Sequence, residues 1–120
     1  MRTTVHVALA LALLQGCASR PIHPGAIDKL DSQAYDILLM TQASLDEAKA
    51  QIVSGKLPAS AKAVVNAAGR AYDVARVAQK AYHEASPGLR SAKATELTEA
   101  LAKVNVAVAE VQALVRGGGR

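Results

Sequence analysis

The chain has 120 residues, a formal charge of +4 and 51% apolar residues, with no Phe or Trp, three Tyr and a single Cys. That length holds one domain with a modest core and is too short for two, and a lone cysteine rules out a disulfide within the chain. Basic residues are interspersed with acidic ones, and no block of like charge marks a nucleic-acid-binding arm or a polybasic membrane patch.

The first segment runs Met1-Arg2-Thr3-Thr4, then an apolar stretch from Val5 to Leu14, then Gln15-Gly16-Cys17. A charged head followed by an apolar run of this size fits the roughly 7 to 15 residues of an export signal and falls short of the roughly 20 needed to span a bilayer. The sequence therefore predicts a signal peptide over residues 1–16. Small Gly16 stands directly before Cys17 and Leu14 lies three positions before it. This arrangement resembles the lipobox of bacterial lipoproteins, a resemblance confined to residues 1–19 that departs from the usual pattern at Gln15.

The resemblance implies cleavage between Gly16 and Cys17, a diacylglyceryl group on the Cys17 thiol, and acylation of the new amino terminus. Each buried methylene contributes about 0.8 kcal/mol, so one acyl chain binds marginally while two or three hold stably. A cysteine directly behind a cleaved signal has no core to join, so burial as an ordinary core thiol is the weaker alternative. Ala18, where an aspartate would retain such a protein in the inner membrane of enteric bacteria, implies the outer membrane, facing the periplasm.

Residues 17–26 are expected to be a lipidated start and a flexible tether, because they carry two prolines and a glycine and show no period. Three helical patterns follow. The first places Ile27, Leu30, Ala34, Ile37, Thr41, Leu45, Ala48 and Ile52 on one face and stops at Gly55-Lys56-Leu57-Pro58. The second starts near Pro58 to Ser60 and carries Ala61, Val64, Ala68, Ala71, Ala75, Ala78, Tyr82 and Ala85, a face poor in bulk that requires close approach of its neighbours. Ser86-Pro87-Gly88 ends it. The third carries Ala94, Leu97, Leu101, Val104, Val108, Val111 and Val115, with Ser86 or Ser91 as candidate N-cap, and residues 117–120 form a flexible tail.

Alanine, the commonest residue, has the best helix propensity, and the strand-favouring residues fall at helical spacing. The expected fold is all-α: an antiparallel three-helix bundle over residues 27–116, since short connections set consecutive helices antiparallel. An internal echo aligns residues 34–48 with 71–85, sharing Ala, Tyr, Asp, Gln, Glu and Ala. Duplication of a helix and convergent alanine-rich patterning explain it equally well.

Chemistry-bearing residues are sparse. His6, His23 and His83 are too far apart in sequence for a helical metal pair, so no metal or other cofactor is expected. Asp36 and Asp73, which follow Tyr35 and Tyr72 in the echo, are the candidate acid–base carboxylates; exposure beside their tyrosines, with Asp73 paired to Arg70 or Arg76, is the favoured alternative. Glu99 and Lys103 have ordinary i, i+4 pairing distance. The terminal triple glycine lacks the lysine and following helix of a phosphate loop.

The sequence thus points to a lipid-anchored, non-enzymatic helical module that binds another envelope protein or itself, with neither a nucleic acid nor a small-molecule substrate as partner. Two alternatives stand beside it. One is a phage-encoded envelope lipoprotein acting in lysis or superinfection exclusion; the other is a small envelope enzyme whose site the sequence hides.

Overall fold

The computed structural model describes residues 22–118; the expected signal peptide, with Gly16 and Cys17, lies outside these residues. Three helices form: α1 (Lys29–Val53), α2 (Ala61–Glu84) and α3 (Arg90–Gly118). The chain is all-α, and each helix packs against the other two.

Helix ends follow local chemistry. Asp28 is the N-cap of α1, its Oδ1 accepting the Asp31 N–H at 3.0 Å. At the other end Gly55 adopts φ +81, the left-handed conformation that costs glycine least, and its N–H donates to Ile52 C=O at 3.2 Å. Leu57, expected only as part of a turn, is 3% exposed and plugs the end of the core. Neither Ser86 nor Ser91 is the N-cap of α3. Its first residue is Arg90, preceded by Leu89, whose C=O accepts from Lys93 N–H, while Ser86 C=O accepts from Leu89 N–H in the preceding turn. The last helix also continues to Gly118, past the expected start of the tail at residue 117.

Two clusters fix the topology. Ala34 and Leu38 of α1 meet Ala75 and Tyr82 of α2 and Leu97, Ala100, Leu101 and Val104 of α3. Leu45 and Ala48 meet Val65 and Ala68 of α2 and Val111 of α3. The start of α1 therefore faces the end of α2 and the start of α3, which is the up-down-up bundle. Alanines on the inner face of α2 let its neighbours approach, α3 most closely, and Leu97, Val104 and Val111 of α3 supply the bulk. Thr41 is buried among them and satisfies its hydroxyl by donating to Ile37 C=O at 2.7 Å.

Residues 23–26, expected as tether, are fastened to the bundle. His23 C=O accepts from Ala26 N–H in a turn at Gly25, His23 N–H donates to Ser32 Oγ at 2.7 Å, and the His23 ring stacks on Tyr35 with centroids 5.0 Å apart. A tether, if free, thus ends before His23.

Candidate functional site

The densest polar cluster among the described residues sits at the end of the bundle where the chain enters α1. Asp31, one turn into α1, has no solvent-exposed surface. Its Oδ2 accepts Ile27 N–H at 3.0 Å and His83 Nδ1–H at 2.7 Å, and its Oδ1 accepts the Gln79 amide at 2.6 Å. Gln79 and His83 lie one turn apart on α2, so both face the same carboxylate. Beside them the Tyr82 hydroxyl donates to Asp28 Oδ2, tying the N-cap of α1 to the last turn of α2. Arg90, the first residue of α3, completes this end by donating from Nη2 to Ala85 C=O at 3.5 Å.

The electrostatics follow from these contacts. Burial pushes the Asp31 carboxyl up, but hydrogen bonds from His83, Ile27 N–H and Gln79, with the His83 charge, outweigh it and hold the group below its ordinary value. Asp31 is therefore ionised at neutral pH, a carboxylate only accepts, and Nδ1 of His83 carries the shared proton. The Tyr82 hydroxyl is pushed up to about 12, first by its hydrogen bond to Asp28, then by burial and by the Asp28 charge.

This cluster can do two things. It locks α1, α2 and the entering chain together, because a buried carboxylate with three donors loses much if any donor leaves. It also fixes an imidazole whose Nδ1 is engaged, the orientation that a general base uses. Among the described residues no hydroxyl or thiol hydrogen-bonds to His83, and no group of three or more His, Cys, Asp and Glu side chains converges as a metal site.

The candidates read from sequence are placed otherwise. Asp36 is half-buried on α1, and Asp73 is exposed on α2 with no ion pair to Arg70 or Arg76. Glu99 and Lys103 do not pair either; the ion pairs among the described residues are His83–Asp31 and Lys93–Glu96. Of the three histidines, His23 and His83 are both held at the entry end, while His6, like Gly16 and Cys17, falls outside the described residues.

Spacing could have revealed the cluster. Asp31 continues the series Ala34, Leu38, Thr41, Leu45, Ala48 backward by three, and Gln79 falls between Ala75 and Tyr82 in the series from Ala61. Two polar residues in phase with the core, at ends that meet in a bundle, signal a buried polar contact. The internal echo does not generate it, since His83 stands opposite Asp46 and Tyr82 opposite Leu45.

At the far end, a cleft of about 280 Å³ lies between α1 and α3, lined by Ser44, Glu47, Val111, Gln112, Val115 and Arg116. Gln112 bridges it toward Ser44 Oγ at 3.4 Å. Comparison with protein-family models, with curated proteins and with solved structures gave no match.

Proposed function

We propose that this chain is a lipid-anchored helical lipoprotein of the bacterial cell envelope that works as a non-enzymatic binding or structural module. The observation that carries this reading is Cys17 directly behind Gly16 and the Val5–Leu14 apolar run. No described helix is long and apolar enough to cross a membrane, so attachment in this reading rests on the acyl chains of Cys17. The polar cluster at Asp31 then lies at the end of the bundle where the chain comes from the anchor. Four residues lie between Cys17 and Ile22, so the two are at most about 18 Å apart. In this reading the bundle would lie along the membrane with its entry end within that reach of the surface, and the outward helix faces would stay open to a partner in the periplasm. Ala18 favours the outer membrane as the site of attachment.

The test is mass spectrometry of the mature protein together with fractionation of Cys17→Ser. The expected results are an acylated N-terminal Cys17, and release of the variant from the membrane or its retention as uncut precursor. An unmodified mature start at Ala18 or beyond would sink the reading.

The Asp31–His83 pair favours one second reading, a small envelope enzyme using His83 as general base. It requires that His83→Ala abolish the biological activity while fold and attachment persist, whereas the module reading requires that activity be lost only in proportion to stability.

A further inference from the structure

We propose that two copies of the chain pair antiparallel through the outer face of α3, centred at the level of Leu101. On that face Thr95, Glu99, Ala102, Val106, Ala109 and Ala113 alternate by four and three, a seam on the side away from Leu97, Leu101 and Val104. All six are exposed, and Val106 is 64% exposed. Alanines there allow the backbones of two helices to approach to near the short end of the usual range of about 8–10 Å.

Charge selects the occupant. Glu99 and Lys103 are one turn apart and both exposed, yet they do not pair within the chain. Reversing α3 about Leu101 sets Glu99 of each copy level with Lys103 of the other, so two complementary pairs form across the two-fold axis. A parallel pairing would instead oppose Glu99 to Glu99 and Lys103 to Lys103. The outer face of α2, with Val74 and Val77 exposed, is less suited to self-pairing. Reversal about its own centre brings Asp73 beside Asp73 and leaves Arg70 in the middle of the seam.

One helix face gives less than the roughly 800 Å² per partner of a standard stable interface. The pairing therefore rests on the anchored reading above, in which confinement to one membrane raises the effective concentration of the second copy.

The test is oxidative cross-linking of the full chain in intact cells, with single cysteines introduced as Ala102→Cys and Ala113→Cys, and the wild-type chain as control for Cys17. Ala102→Cys should give a covalent dimer, because position 102 lies beside the axis. Ala113→Cys should not, since the two copies of that position are separated by about 36 Å along the helices. In the Ala102→Cys background, Glu99→Lys or Lys103→Glu alone should lower the dimer yield by about threefold or more, and the two together should restore it. Equal cross-linking at 102 and 113, or no rescue by the double exchange, overturns the proposed register. No Ala102→Cys dimer with the protein still in the membrane fraction overturns the pairing and leaves the anchor standing. A dimer found with soluble protein supports the pairing and overturns the anchor, and monomer in the soluble fraction overturns both.

Discussion

Nδ1 of His83 lies 2.7 Å from Oδ2 of Asp31, 52 residues apart in sequence, and this contact joins the end of α2 to the start of α1. Asp31 is fully buried whereas the His83 side chain is 35% exposed, so the carboxylate depends on its partners far more than the imidazole does. Replacing Asp31 with Ala strands three donors: Ile27 N–H, the Gln79 amide and His83. The expected cost is about 3–5 kcal/mol, comparable to the whole stability of a small domain. Chemical denaturation followed by helical circular dichroism measures it, and a loss under about 1 kcal/mol would show that the cluster is not a lock.

The same carboxylate sets the acid limb of stability. Its folded pKa lies below the ordinary aspartate value, so the folded state binds fewer protons than the unfolded chain in that range. The stabilisation is complete above the unfolded value and is lost as pH falls through the folded one. Denaturation midpoints from pH 6 to pH 2 should therefore drop more steeply for the wild-type chain than for Asp31→Asn, which has no proton to gain. Parallel profiles would contradict the assignment.

Core bulk resides in α3. Leu97 has no exposed surface and touches both other helices' clustered residues, so Leu97→Ala should cost about 2–5 kcal/mol, and Leu101→Ala, 6% exposed, nearly as much. Val53→Ala, at a side chain 89% exposed, should change stability by no more than about 0.5 kcal/mol. Thermal melts of the three variants check the order. Equal shifts would mean that the bundle does not use the face described.

Tyr82→Phe removes the hydroxyl that donates to Asp28 while keeping the ring in the core. A hydrogen bond to a charged acceptor contributes about 1.5–3 kcal/mol, and a loss of that size is expected. Absorbance titration offers an independent check. The wild-type chain should show a tyrosine step near pH 12, and that step should vanish in Tyr82→Phe. A titration ending near the ordinary tyrosine value would contradict the buried contact.

Most of the architecture was readable because helix periodicity and the Gly55 and Pro87 breaks are local signals. Ala34, Thr41, Leu45, Ala48, Ala61, Ala68, Ala75, Tyr82, Leu97, Leu101, Val104 and Val111 were all expected on the core face and are buried. The slips are shifts of one residue along a face. Leu38 is buried where Ile37 is half-buried, and Val65 where Val64 is half-buried. Both neighbours are apolar at those two steps, so hydropathy does not choose between them; at Leu30 against Asp31 and Ala78 against Gln79 it favours the apolar neighbour, while the buried one is polar. The entry-end cluster was missed for that reason: its members look like surface polar residues until two helix ends are brought together. Ile27, expected as the first core position, is 41% exposed, because Asp28 caps the helix after it and Ile27 contributes its backbone N–H instead. The proposed attachment is the reverse case, since it rests wholly on a linear motif at Leu14 to Cys17 that needs no fold to be read.

The most direct measurement of the central claim is the intact mass of the mature N-terminal peptide from membranes of a native-like bacterial host. The lipoprotein assignment predicts a peptide beginning at Cys17 and heavier than its sequence by a diacylglyceryl group, with a further acyl chain on the α-amine. A peptide of unmodified mass beginning at any other residue would contradict it.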